Sequence, residues 1–515
     1  MFDSNSLAAA NAVGAKNVVF KPIASVLERK IVIIGTYDPA KTAVVDEVAV
    51  QIFSPEDAGD QFGFGTMLHR LAVRAFQGSR GIETWVVPQS ETGIVAVGDI
   101  DFVGSTGVLA GVLSLYIAGI LVEVAIEAAD TADNIATKVA AAVTAKKELP
   151  LSGIATTTVC DFTAKNTGLW GNDISITLNE KAGEVLPTGV TAAVTDMASG
   201  TTVPAMVDAL AALGSDDNQN EKFFTDFIHG YGNDTTSLDA LSTYNGIGND
   251  FVGNYKKVVS RPFRSLNGDV ATGSGGLTAV LALGNGRLND RTSGTISVPG
   301  SPNHPSEISA LAIGIMARLN NNRAEETAIG QLLPEIIPGA LADRWTSAYD
   351  SRDLAVKAGI SPTLSKNGAV IMQNVVSYYH PDNVPVESNG YRSMRNISIT
   401  QNLLNSVKDL FALEKWQGIS IVSDVTKVTN VNSRAKARDV DAVLDDLVAI
   451  AKEFASNAWI FSSAFTIAQL QGGSKVSIRV GGDGFNITLP VVYSGEGGIF
   501  NTEIEFDVSL AIVLS

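Results

Sequence analysis

Histidine and cysteine are scarce in this 515-residue chain, which has four of the first and one of the second. A single cysteine, Cys160, excludes an intramolecular disulfide framework. Its place in a Thr-rich strand reads as a small buried apolar residue. A chain built without oxidative staples suits folding in a reducing cytoplasm. His69, His229, His304 and His380 have no second His and no Cys within four residues. The short ligand spacings of a zinc site are therefore missing, and no metal is expected. His69 sits on a helical pattern and His304 in a Pro-rich turn.

Positive charge is also in deficit, with 37 Lys+Arg against 54 Asp+Glu and a net charge of −17. Direct nucleic-acid binding draws most of its affinity from cations on phosphates, so that partner is not expected. The longest basic cluster, Arg434-Ala-Lys436-Ala-Arg438, is followed at once by Asp439, Asp441, Asp445 and Asp446, and reads as a solvated helix start. At 18% the charged fraction is low, but 45% of residues are apolar, which excludes a disordered chain. No strict Gly-x-y period organises the 48 glycines, so collagen is excluded too.

The motifs of common chemistries are absent. There is no Gly-x-Ser-x-Gly elbow. The dipeptide Gly-Lys does not occur, which removes a Walker loop. Gly63-Phe-Gly65-Thr-Met approaches a dinucleotide fingerprint, but Leu68 stands where the third glycine belongs. Carboxylates are abundant, yet no spacing nominates a catalytic pair. No catalytic residue and no cofactor is expected. Met1-Phe-Asp-Ser-Asn-Ser lacks a basic region followed by an apolar block, so no secretory signal is expected. Phe102 to Val122 carries no formal charge and could span a bilayer by length. It holds Gly104, Gly107, Gly111 and Gly119, however, and its second half alternates. Leu115–Ile117, then Ala118-Gly119, then Ile120 onward reads as a tight β-hairpin, with Ile120, Val122, Val124 and Ile126 on one face. Membrane insertion is not expected.

What is present is a strand–helix–strand alternation. Lys30–Gly35 is a continuous apolar run of the kind buried on both faces of a parallel sheet. The spacing predicts a helix over Phe64–Gln77, with Leu68, Leu71, Ala72 and Ala75 inward and Arg70 and Arg74 pointing away. Glu83–Val87, stopped by Pro88, is a second buried strand. This indicates an α/β core. From about Ser90 to Thr202 the texture changes to Thr, Val, Ala and Gly in short strands around one helix, in which Ile135, Val139 and Val143 stack behind Asp130 or Thr131 as cap. That stretch reads as an inserted β-rich domain, expected on the outside because long surface insertions cost little loop entropy.

The α/β pattern then resumes: a helix at Val203–Leu213, a strand at Phe223–His229, a helix around Leu238, a strand at Tyr255–Ser260 and a helix at Leu277–Gly284. The strongest helix follows Pro302-Asn-His-Pro-Ser306, with Ser306 as its cap. Another covers Asp439 to Ala455. After Gly472-Gly473 the pattern is β only, with Ser474–Val480 and Phe485–Tyr493 joined through Gly481–Gly484.

Several passages together resemble one family. They are Phe53-Ser-Pro-Glu-Asp57, Gln61–Arg70, Arg261-Pro-Phe-Arg-Ser265, Leu288–Gly294, Val298–Glu307, Ser351-Arg-Asp-Leu354, Ala358-Gly-Ile-Ser361 and Tyr391–Asn402. The chain resembles the contractile phage tail sheath proteins of the Mu-like branch, from about residue 30 to its end. The resemblance implies a subtilisin-like sheath layout: an α/β core, an inserted β-rich domain, and an α+β C-terminal domain carrying extended terminal arms. The implied divisions are an N-terminal arm at 1–25, core at 26–90, the insert at 91–202, core again at 203–385, the C-terminal domain at 386–495 and an arm strand at 496–515.

The implied function is structural. Subunits polymerise with copies of themselves as hexameric rings stacked into a helical tube around the tail tube protein, capped by baseplate and tail terminator proteins. Contraction drives the tube through the host envelope. The implied location is the virion, assembled in the bacterial host cytoplasm. A tailocin or other phage-derived injection device is the alternative, and a subtilisin-like hydrolase a remote one. Subtilisins place Ser inside Gly-Thr-Ser-Met, whereas the nearest matches here are His229-Gly-Tyr and Gly65-Thr-Met67, without the Ser.

Two segments are the expected assembly elements. Val18, Val19 and Phe20 form a short strand candidate in the N-terminal arm. Near the other end, Ile504, Phe506, Val508, Leu510, Ile512 and Leu514 alternate with acidic and polar residues, giving one apolar strand face. A long apolar-faced strand at a terminus needs a partner, and inter-subunit strand exchange supplies one.

Overall fold

The computed structural model describes residues 26–213, 223–246, 261–345, 349–381, 389–473 and 475–497. Contacts divide these into two compact units, 26–404 with 493–497, and 405–492.

The larger unit begins with β1 (Lys30–Thr36), buried from Ile31 onward. β2 (Val50–Ile52) leads into α1 (Pro55–Phe62), which Ser54 caps, and α2 (Met67–Ser79), which Thr66 caps. The helix starts later than its apolar period suggests, because Gly63 and Gly65 take positive φ angles of 99° and 81°. β3 (Glu83–Gln89) runs through Pro88 instead of stopping there. β2 pairs with it only as far as Val86, so beyond that point a residue without an N–H is tolerated on that side.

Residues 95–198 build two sheets of their own. β4 (Val95–Asp101), β5 (Gly111–Ile117), β6 (Ile120–Ile126), α3 (Ala132–Ala145), β7 (Leu151–Thr156), β8 (Val159–Thr167), β9 (Ile176–Leu178) and β10 (Ala193–Ala198) follow in chain order. Their sheet orders are β10-β4-β8-β7 and β6-β5-β9. The β5–β6 hairpin turns through Ala118 and Gly119 at φ 48° and 77°, the positive pair that matches strand twist. Thr131 caps α3, while Asp130 accepts from the Glu127 amide and from Lys138 Nζ. Cys160 lies buried on β8, and burial pushes its thiol up to about 12.

The alternation resumes with α4 (Met206–Ala212), β11 (Asp226–His229), α5 (Thr235–Asn245), β12 (Arg264–Asp269), α6 (Gly273–Gly286) and β13 (Ser293–Ser297). Next come α7 (Pro305–Asn322), β14 (Leu332–Leu333), α8 (Tyr349–Lys357), β15 (Ile360–Lys366), β16 (Ala369–Met372) and α9 (Met394–Ala412). The strand expected at Tyr255–Ser260 lies outside the described residues. α7 is buried without a break from Pro305 to Ala317, so it is an interior helix. Its cap is His304, whose side chain accepts the Ser306 amide; Ser306 itself is already inside the helix.

The central sheet has the order β14-β16-β15-β13-β12-β11-β1-β3-β2. From β3 through β15 every pairing is parallel. One apolar cluster joins Ile31–Ile34 of β1, Leu68 and Leu71 of α2, Ile308 and Leu311 of α7, Leu113 and Phe162 of the inserted sheets, and Trp170 on the 3-10 turn after β8. The insert and the central sheet therefore share a core.

In the smaller unit, β17 (Ser420–Ile421) pairs with β18 (Ala437–Arg438) across α10 (Val431–Lys436). α11 (Val440–Ser456) buries Val443, Leu447, Ile450 and Phe454 behind its Asp439 cap. α12 (Ser463–Gln471), β19 (Val476–Ile478) and β20 (Phe485–Ile487) complete it, the last two as an antiparallel pair. The basic cluster opens no helix. Exposed Arg434 and Lys436 end α10, and Arg438 lies on β18, because Asp439 starts α11 one residue later. No helix among the described residues is long and apolar enough to cross a membrane.

Candidate functional site at the ends of the central sheet

Open α/β sheets place ligands outside the carboxyl ends of the strands, where the strand order reverses. Here that point lies between β1 and β11, because the chain goes from β1 to β3 on one side and returns to β11 on the other. The crevice is filled by the protein itself. Met67, the first residue of α2, accepts the Thr36 amide on its thioether at 3.3 Å. A Cβ added to Gly35 would stand 2.7 Å from that sulfur, and one on Gly230 only 2.2 Å. Glycine thus stands where Met67 enters, Gly35 one residue before the close of β1 and Gly230 one residue beyond β11.

The inserted sheets seal the same edge. Asn166 accepts the Met67 amide at 2.6 Å and donates to the Tyr37 carbonyl at 3.2 Å. Lys165 Nζ donates to Phe64 O at 2.9 Å and Lys147 O at 2.6 Å. The Trp170 indole stacks on His304 at 4.4 Å and donates to Ser306 Oγ at 3.0 Å. Helix N-termini are ready anion sites, but Asn166 and His304 occupy those of α2 and α7.

The two segments nearest to a subtilisin pattern do meet here, since Gly230 abuts Met67. They form no nucleophile–base pair. Neither His229 nitrogen has a hydrogen-bond partner among the described residues, and burial pushes the imidazole down to about 4. The Thr66 hydroxyl donates to Gly63 O at 2.7 Å. His69 Nδ1 accepts the Gly65 amide at 3.0 Å; burial, with Arg70 beside it, pushes that imidazole down to about 4 as well. Both histidines are neutral at physiological pH and serve packing. Among the described residues no three His, Cys, Asp or Glu side chains gather to hold a metal.

Two ionic clusters are buried in this unit. In the first, Glu307 of α7 accepts from Arg70 Nε at 2.8 Å and Nη2 at 2.6 Å, and from Arg74 Nε at 3.0 Å. Arg74 also reaches exposed Glu335 at 3.0 Å. Burial alone would raise the Glu307 carboxyl, but the two guanidiniums outweigh it and hold it down at about 2. The expectation that Arg70 and Arg74 point to solvent is overturned: they face a buried carboxylate across the α2–α7 contact.

The second cluster closes the amino end of the sheet. Arg264 pairs with Asp226 and donates to Asn320 Oδ1 at 2.6 Å. Arg29 donates to the Asn320 carbonyl at 3.1 Å, to Ser398 Oγ at 2.5 Å and to Gln401 Oε1. Burial, then the like charge of Arg264, push Arg29 down to about 9 against the pull of Asp226.

The nine expected assembly residues, Val18, Val19, Phe20, Ile504, Phe506, Val508, Leu510, Ile512 and Leu514, lie outside the described residues. Sequence reasoning missed Met67, Asn166, Trp170, Glu307 and Arg29. A signal for one of them was present: a lone carboxylate in the apolar helix of Glu307, with two arginines four apart in another helix.

No protein-family model matches the chain. It is 24% identical over 403 residues to a Mu-like prophage tail sheath protein of Haemophilus influenzae, covering 78% of each chain. Among solved structures it is similar to a sheath tail protein of Desulfitobacterium hafniense, with 12% identity over 87% of this chain and 92% of that one at a TM-score of 0.42. It is also similar to the sheath complex of an extracellular contractile injection system in its contracted state, with 9% identity over 97% and 100% of the two chains at a TM-score of 0.45.

Proposed function

We propose, from the premise that the chain is a contractile-tail sheath protein related to the Mu-like prophage sheath, that it is the structural subunit of such a sheath. The observation that carries this is the sequence relationship across 78% of both chains. The filled crevice supports it, because the place where this architecture holds ligands is occupied by Met67 and sealed by Asn166 and Trp170. Subunits stack as hexameric rings around a tail tube, bounded by baseplate and terminator proteins, and the assembled sheath belongs to the virion after assembly in the host cytoplasm. The core keeps a subtilisin-like layout without the chemistry. Residues 91–202 form the outer part, and residues 1–25 and 496–515 are arms exchanged with neighbouring subunits.

Negative-stain microscopy of the purified chain tests this. Striated tubes are expected, and a chain that stays monomeric under all assembly conditions contradicts the reading. Val508→Pro, which removes a ladder donor, should leave a folded monomer that forms no tubes. A serine-reactive probe that labels the chain would revive the hydrolase. Capsid and packaging genes beside the coding sequence distinguish a phage sheath from that of a tailocin.

A further inference from the structure

The roots of both arms are fastened to one helix. α9 is set into the core by Met394 and Ile397, yet Arg395, Ser398, Gln401 and Asn402 are polar and buried. Positions 395, 398 and 402 follow one helical stripe. Each of these side chains holds a segment next to a terminus. At the N-terminal root, Asn402 Oδ1 accepts the Leu27 amide at 2.8 Å, and Ser398 and Gln401 hold the Arg29 guanidinium. At the C-terminal root, Arg395 donates to Ser494 O at 2.9 Å and to Ser494 Oγ at 2.6 Å. Thr400 hydrogen-bonds Tyr493 OH at 2.7 Å, and Ser393 donates to Glu496 at 2.8 Å.

We propose that the first three turns of α9 are a shared anchor for the two arms, so that load on one arm root is felt at the other. This rests on the sheath reading for its purpose, but its physics lies within one subunit. Among the described residues the roots share no hydrogen-bond partner, yet they pull on side chains one helical turn apart. A helix turn loosened at Arg395 loses the fixed backbone that aims Ser398 and Asn402. Charge-assisted bonds such as those of Arg395 are the stronger kind, so cutting them loosens the turn most. The inward polar groups of Tyr391–Asn402 thereby gain a reason: besides interior backbone at Thr225, Pro262 and Glu325, their partners are the segments that lead into the arms.

The test uses the whole 515-residue chain and two readouts, amide exchange at Leu27 and chymotryptic cleavage after Tyr493. Arg395→Gln cuts the C-terminal root and Asn402→Ala the N-terminal one. Each variant should speed its own readout about tenfold and should also speed the other root's readout severalfold. Variants that affect only their own root would overturn the shared anchor. Should Arg395→Gln fail to fold, Ser494→Ala removes the Oγ contact alone and is read in the same way. Neither readout needs a polymer, so failure of the wild-type chain to form tubes would remove the sheath reading and leave this result standing.

Discussion

The two buried clusters have the same formal composition, two arginines to one carboxylate, and opposite designs. Around Glu307 the carboxylate is central: both guanidiniums converge on it and Arg74 vents to solvent through Glu335. At the amino end Asp226 pairs with Arg264, while Arg29 is satisfied by uncharged oxygens of Asn320, Ser398 and Gln401. The first joins two helices through charge. The second spends a buried cation on neutral acceptors, which gives little stability and much positional definition. It sits where the chain enters the core.

Glu307→Gln should separate the clusters most strongly. It leaves Arg70 buried without an anion and Arg74 with only the exposed Glu335, at a cost of about 3–5 kcal/mol, read as a shift of the urea midpoint. A loss below about 1 kcal/mol would show that water or rearrangement replaces the carboxylate. Arg29→Met should cost less, about 1–3 kcal/mol, since its acceptors are neutral. An equal loss in the two variants would erase the distinction.

Their pH responses should share a sign and fall in different windows. The Glu307 carboxyl is lowered from 4.5 to about 2. Its contribution is therefore complete above about pH 4.5 and fades toward pH 2, and the gap between wild type and Glu307→Gln should close over that window. Arg29 is lowered to about 9. Its folded form releases a proton that the unfolded chain keeps, so wild type should gain on Arg29→Met as pH rises above about 9. Denaturant titrations at pH 3, 7 and 10 check both. The smallest effect is expected at Trp170→Phe, outside both clusters. Stacking on His304 survives and one hydrogen bond to Ser306 is lost, about 1 kcal/mol.

Periodic or continuous apolar patterns were legible in the sequence. β1, the Ala118-Gly119 hairpin and the Asp439-capped helix all follow from runs, alternation or caps that act locally. Polar strands were not legible. β12, Arg264-Ser-Leu-Asn-Gly-Asp269, is buried throughout, and its side chains are tolerated inside because Asp226, Asn320 and Thr295 meet them from distant elements. The inward turn of Arg70 and Arg74 failed for the same reason. An arginine reads as solvent-facing until a carboxylate more than two hundred residues away is known to stand opposite. The closure of the crevice by Asn166 and Trp170 is likewise a meeting of remote segments, with no local pattern to announce it.

The margins of the nine-stranded sheet have a consequence for copies of this chain brought to high concentration. Its parallel body ends on one side in the three-residue β2 and on the other in the two-residue β14, both antiparallel to their neighbours. Such stubs offer an approaching chain too few free backbone groups to extend the sheet. Crowded copies of this body are thus protected from zipping together edge to edge.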